Sequence, residues 1–142
     1  MPFPWSKPSK PDPQIKKRIL VIDDDMEIRK TIEVWLEMSG FEYLEARGGR
    51  TGWEAIQRTK PDLIIMDVTM PLLSGVEVCR LVRAHEATKT IPIVLLTGRD
   101  SMGEVEAGFK AGANDYLTKP FDWDRVHKKI CALLGLPEPP KT

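Results

Sequence analysis

Cysteine is scarce. The 142 residues hold two, Cys79 and Cys131, and neither stands in a CxxC or Cys/His spacing, so nothing supports a disulfide framework or a zinc site. A reduced, cytoplasmic protein is the expectation. Excess charge is lacking as well: 21 Lys+Arg against 21 Asp+Glu leave a formal net charge of zero, which argues against binding nucleic acid by bulk electrostatics. No direct nucleic-acid contact is expected. Apolar runs stay far below the ~18–20 residues of a membrane span, and the proline-rich start is no signal peptide, so no membrane association is expected either. Gly48-Gly49-Arg50-Thr51-Gly52 lacks the Gly-Lys-Ser/Thr ending of a phosphate-binding P-loop and reads as a turn. No internal repeat is present.

Proline is nearly absent from the middle of the chain. Of the 12 prolines, five fall in the first 13 residues and three at 137, 139 and 140, with only Pro61, Pro71, Pro92 and Pro120 between. Proline fixes φ and removes a donor, so both ends read as extended tails. The length suits one domain. We place it at residues 18–135, between a flexible tail at 1–17 and a short one at 136–142. The first tail carries Phe3, Trp5, Lys7, Lys10, Lys16 and Lys17, which a docking segment could use, but its composition favours a flexible tail.

Inside that span two periodicities alternate. Ile19-Leu20-Val21-Ile22 is a continuous apolar run that stops at Asp23-Asp24-Asp25. Over 26–38, Ile28, Ile32, Trp35 and Leu36 recur at helical spacing, with Asp25 as N-cap and Gly40 as the stop. Phe41 to Ala46 reads as a weaker strand and 51–59 as a helix. Leu63 to Met66 is a second buried strand ending at Asp67, and 74–85 a helix. Ile91 to Leu96 is a strand ending at Thr97, followed by a helix at 101–111. Asp115 to Thr118 is the last strand, before Lys119-Pro120, and Asp122 opens the final helix. Five βα units with apolar strands predict a parallel sheet covered on both faces, an open α/β sandwich.

In such sheets the site lies beyond the carboxyl ends of the strands, where the winding reverses. Four strands deliver polar groups to that edge: Asp23 and Asp24, Asp67, Thr97, and Lys119. If the first and third strands are neighbours, three carboxylates converge and repel one another unless a cation neutralises them. A hard divalent ion fits, Mg²⁺ in particular. Three aspartates, one Mg²⁺ and Lys119 sum to zero charge, and such a site can accept a dianionic phosphoryl group on a carboxylate. Asp67 is the best acceptor, because it follows a fully apolar strand and precedes a loop ended by Pro71. Thr97 can offer its hydroxyl to a phosphoryl oxygen. Singly these are ordinary residues, namely helix caps, a turn aspartate, a surface lysine and a strand-end hydroxyl. Their combination at the strand ends points to chemistry.

Together they resemble the receiver domain of two-component response regulators, the chemotaxis-receiver type. The matching stretches are Ile19 to Asp25, Pro61 to Pro71, Leu95 to Gly98 and Gly112 to Phe121, which cover essentially the whole core. The resemblance implies a five-stranded parallel sheet of order 2-1-3-4-5 in a flavodoxin-like (βα)5 three-layer sandwich. It makes Asp67 the phosphoacceptor, charged from the phosphohistidine of a sensor histidine kinase or phosphotransfer protein. It makes Asp24, Asp67 and the backbone carbonyl of Thr69 the Mg²⁺ ligands, with Asp23 acting through water, and pairs Lys119 with a phosphoryl oxygen. Thr97 would move towards that group and Tyr116 change rotamer in concert, altering the face made by the fourth helix, fifth strand and fifth helix. Gly98 suits the small residue required beside the phosphoryl group, and a cis bond is implied at Lys119-Pro120. Thr69 and Arg99 stand where members of the family vary and where the phosphoryl lifetime is influenced.

Rival functions fit less well. An aspartyl-phosphate enzyme of the haloacid-dehalogenase type needs a second acid two residues after its nucleophile, and the ion pumps need Asp-Lys-Thr-Gly; Asp67-Val68-Thr69-Met70 is neither. A flavin phosphate would be repelled by Asp23-Asp24-Asp25. A phosphorylation-independent docking module would not need the full residue set that is present. The expectation is therefore a signalling domain that assists its own phosphorylation and dephosphorylation, not an enzyme. Only eight residues follow Leu134, too few for a helix-turn-helix. Output is then expected through an unknown downstream protein target, unless the chain is a receiver fragment of a larger regulator or hybrid kinase. His85 and His127 carry no expected ligand role, and Trp35, Trp53 and Trp123 are read as packing residues.

Overall fold

The computed structural model describes residues 16–98, 100 and 102–137; the proline-rich segment before Lys16, Arg99, Ser101 (the expected first residue of the fourth helix) and the last five residues lie outside the described residues. The apolar runs form strands β1 (Arg18–Ile22), β2 (Glu42–Ala46), β3 (Leu63–Asp67), β4 (Ile93–Thr97) and β5 (Asp115–Thr118). They alternate with helices α1 (Met26–Met38), α2 (Gly49–Thr59), α3 (Gly75–Ala84), α4 (Met102–Ala111) and α5 (Trp123–Leu134). Every pairing is parallel and the sheet order is 2-1-3-4-5, the flavodoxin-like three-layer sandwich that the resemblance implied.

Alternation along the strands builds two cores. Leu20, Ile22, Ile64, Met66, Ile93 and Leu95 pack with Ala55 and Ile56 of α2 and Val78 and Val82 of α3. Their neighbours Ile19, Val21, Ile65, Val94 and Leu96 pack with Ile32 and Leu36 of α1 and Val126 and Ile130 of α5. Both faces are dry, which is why β1, β3 and β4 read as continuous apolar runs.

Local chemistry sets the helix ends. The Asp25 carboxylate accepts the Glu27 N–H at 2.9 Å and caps α1. At the other end, the Gly40 N–H reaches Glu37 O at 3.2 Å and the Phe41 N–H reaches Leu36 O at 2.9 Å. Gly40 has φ 85, the left-handed stop that this pattern requires. Because Phe41 closes the helix, β2 starts one residue later than the apolar pattern suggests. Gly48-Gly49 is not a free turn: Gly48 caps α2 and Gly49 is its first residue. Thr51 supplies the missing side chain, its Oγ1 accepting the Gly48 N–H at 3.2 Å. Ser74 and Glu77 cap α3 reciprocally, each accepting the other's backbone N–H at 3.2 Å. β4 begins at Ile93 and not at Ile91, since the Ile91 N–H closes a turn on Thr88 O at 3.0 Å and Pro92 has no N–H to give. The Lys119-Pro120 peptide is cis.

Register then places the site. Ile22 lies opposite Met66, Asp67 opposite Leu96, and Thr97 opposite Thr118. Asp23, Asp67, Thr97 and Lys119 therefore leave the sheet at one edge.

Candidate functional site

Asp23 follows the last residue of β1 and is 0% exposed. Its N–H donates to Ala46 O at 3.2 Å, and its Oδ1 accepts the Asp25 N–H at 2.9 Å. Its Oδ2 lies 3.1 Å from Lys119 Nζ as an ion pair that lacks hydrogen-bond alignment. Asp67 ends β3 and is 7% exposed. Its Oδ1 accepts the Thr69 N–H at 3.1 Å, and its Oδ2 accepts from Lys119 Nζ at 3.3 Å. Asp24 is exposed beside them, and one carboxylate oxygen from each of the three aspartates lies within 4.8 Å of the others. α3 starts hard against this point. The Gly75 N–H donates to Val68 O at 3.0 Å, and a Cβ on Gly75 would stand 2.6 Å from Asp67 O, so only glycine fits there.

Burial, more than any other influence, pushes the Asp23 and Asp67 carboxyls above the ordinary carboxylate range, and Lys119 only partly offsets it. Burial works against the Lys119 ammonium too, but the two aspartates outweigh it and hold its pKa above the usual lysine value. Three carboxylates and one ammonium carry a charge of −2, which suits one divalent cation. The donors are hard oxygens, and Asp23 Oδ2 is a buried acceptor with no hydrogen bond. That set fits Mg²⁺ or a similar ion and not a thiophilic metal.

Thr97 is 0% exposed at the end of β4, its Oγ1 donating to Gly98 O at 3.1 Å, while the Lys119 N–H donates to Thr97 O at 2.8 Å. Tyr116 is not at the acidic cluster. It lies one strand further on, half-buried against the core shared with α4, with its ring edge-on to Phe109 of that helix at 6.0 Å. His127 stacks on Trp123 at 4.6 Å and His85 lies 4.8 Å from Trp53. Trp35 packs against Trp123 and Phe121. A groove of about 420 Å³ opens beside the acids, lined in part by Ile28, Thr31, Trp35, Lys119, Pro120 and Phe121.

Two residues, one bonded to the site and one in the loop that follows Asp67, carry no mark in the sequence motifs. Arg29 is buried on α1, and its Nη1 donates to Asp23 O at 2.7 Å. Its signal was available: it shares the i, i+3, i+7 stripe with Ile32 and Leu36, where a cation is out of place. Leu72, in the loop after Asp67, has φ 71 and is 95% exposed; no local pattern announces a leucine in the left-handed region.

The family model for the response regulator receiver domain matches residues 19–131. Over 117 residues the chain is 42% identical to response regulator MprA of Mycolicibacterium vanbaalenii, covering 82% of this chain and 50% of that protein. It is 39% identical over 117 residues to the DNA-binding dual master transcriptional regulator RpaA of Synechocystis, covering 82% of this chain and 48% of RpaA. The chain thus spans about half the length of these curated relatives. The receiver domain of sensor histidine kinase PA1611 from Pseudomonas aeruginosa PAO1 superposes with a TM-score of 0.79 at 30% identity, over 85% of this chain and 99% of that one. That structure has a magnesium ion coordinated in its active-site cleft. Among the described residues, no helix is long and apolar enough to cross a membrane. A match running from β1 into α5, on a sheet that gathers three aspartates and a lysine at one edge, leaves one conclusion: the chain belongs to the response regulator receiver family.

Proposed function

We propose that Asp67 accepts a phosphoryl group from the phosphohistidine of a sensor histidine kinase or phosphotransfer protein, and that this Mg²⁺-dependent modification resets the α4–β5–α5 surface for a downstream protein. The observation that carries this reading is the buried Asp67 carboxylate, 3.3 Å from Lys119 Nζ inside a cluster of three acids. In the transfer, a carboxylate oxygen of Asp67 bonds to phosphorus as the P–N bond breaks, and the electron pair returns to the donor imidazole. The product is an acyl phosphate. Asp24, Asp67 and the Thr69 carbonyl are assigned as Mg²⁺ ligands, with Asp23 acting through water. When bound, the ion neutralises charge on the phosphoryl oxygens. Lys119, already among the acids, pairs with a phosphoryl oxygen.

The signal leaves through Thr97. Its hydroxyl exchanges Gly98 O for a phosphoryl oxygen, and Tyr116 changes rotamer with it. Because Tyr116 touches Phe109, the change reaches α4. Residues 18–135 are assigned as this domain, working in the cytoplasm as a phosphoacceptor and not as an enzyme that turns over a substrate. For this domain we assign protein partners. Its chain carries no net charge, and DNA binding stands in the name of RpaA, of which the aligned part is 48%.

Beryllofluoride, which mimics an aspartyl phosphate, tests the switch. With Mg²⁺ it is expected to shift the amide resonances of Thr97, Tyr116 and α4 in the wild type. Lys119→Ala is expected to keep Mg²⁺ binding but lose the α4 shifts. A full wild-type response in that variant contradicts the role assigned to Lys119.

A further inference from the structure

Among the described residues, the buried side-chain atoms without a hydrogen-bond partner are Asp23 Oδ2 and Arg29 Nε. Their residues are directly bonded, since Arg29 Nη1 donates to Asp23 O at 2.7 Å. Burying a guanidinium with a donor left over is unfavourable, so Arg29, 4% exposed, is a poor residue for packing alone. Its placement makes sense in the turn it holds. The Arg29 backbone N–H donates to Asp25 O at 3.1 Å, while its side chain takes Asp23 O. One residue thus binds the carbonyls on both sides of Asp24, the exposed acid of the cluster. On its far side the Arg29 Nε faces Glu45 Oε2 at 3.7 Å, and Glu45 accepts the Tyr43 hydroxyl at 3.0 Å. The β1–α1 turn is thereby tied to the end of β2.

We propose that Arg29 is a positioning residue that sets the divalent-cation affinity of the site by fixing the Asp23-Asp24-Asp25 turn. The inference rests on the reading of these acids as a Mg²⁺ site. Three roles for Arg29 give different outcomes. If it only added positive charge near the acids, removing it would tighten cation binding. If it only packed α1, removing it would lower the melting temperature and leave affinity alone. As a positioning residue it loosens the turn when removed, and loss of such an outer partner weakens metal affinity by roughly 10–100-fold.

The test is calorimetric titration of the full chain with MgCl₂, together with the rate of labelling by acetyl phosphate at saturating Mg²⁺. Arg29→Gln is expected to weaken Mg²⁺ binding by about 10–100-fold, with labelling largely restored at saturation. Arg29→Lys, which keeps the charge but not the planar fork, falls between. Glu45→Gln, at the exposed anchor, shifts affinity in the same direction by less, and these two variants carry the test if Arg29→Gln does not fold. Wild-type or tighter binding in the folded variants overturns the proposal. A wild type that binds no Mg²⁺ overturns the reading of the site itself, and this inference with it.

Discussion

Lys119 is one ammonium serving two buried carboxylates, and the imbalance has consequences that pH can read. A carboxyl whose pKa is raised on folding holds its proton more tightly folded than unfolded. Its contribution to stability is full below the unfolded pKa and is lost as pH rises through the folded value. Asp23 and Asp67 are both of this kind, with burial as the main cause, so without metal a rise in pH places charge on two buried groups side by side and costs stability. Asp67→Asn removes one of them. It is expected to raise the melting temperature by a few degrees in EDTA at pH 7, and a lower value in a thermal scan would mean that the paired acids do not destabilise the metal-free fold. The same raised carboxyls make protons compete with metal. Mg²⁺ affinity measured by calorimetry is expected to fall as pH drops from 8 to 5, and a flat profile would mean that these carboxylates do not hold the ion. Cys79 shows burial acting on another group: its thiol is pushed up to about 11. It should stay unreactive towards a disulfide reagent at pH 8 until the chain is unfolded in denaturant. Fast reaction of the native protein at Cys79 would show that this core is open.

At the scale of elements, β1, β3 and β4 are legible in the sequence because they are sealed between two layers of helix, while the edge strands β2 and β5 are only partly buried and read more weakly. Ile19 to Ile22 and Leu63 to Met66 meet no water on either face, so their apolar runs are unbroken, and the acids that end them stand out. The helix starts are less legible. Gly48 caps α2 with a backbone group and borrows the Thr51 hydroxyl, a device that looks like a glycine turn in one dimension. Arg29 shows in the sequence only as a cation on a buried stripe, and its partners, Asp23 O in the preceding turn and Glu45 on β2, are invisible to a helical period. The α3 start makes a prediction of its own. Gly75→Ala would force a Cβ to within 2.6 Å of Asp67 O, and relieving that contact is expected to cost ~1–3 kcal/mol of stability. Because the shift falls on the residue that carries the acceptor, labelling by acetyl phosphate should slow as well. A variant with wild-type melting and labelling would show that the junction is looser than its packing implies.

The whole molecule is a parallel sheet between two apolar cores, with its polar groups gathered at one edge. Two apolar cores fix β1, β3 and β4 in register, which brings Asp67 and Thr97 to one edge, and the β1–α1 turn sets Asp23 beside them. Tyr116 and Phe109 meet where β5 packs on α4, which is where the proposed movement of Thr97 would be read. Shape alone would suit many functions on this fold; the charge pattern at the strand ends selects among them. Intact-protein mass after incubation with acetyl phosphate, with Mg²⁺ and then with EDTA, tests that selection at its acceptor. One added phosphoryl group is expected, present only with Mg²⁺ and absent in Asp67→Asn. An adduct that persists in Asp67→Asn, or that forms equally well in EDTA, would contradict the assignment of Asp67 as a metal-assisted phosphoacceptor.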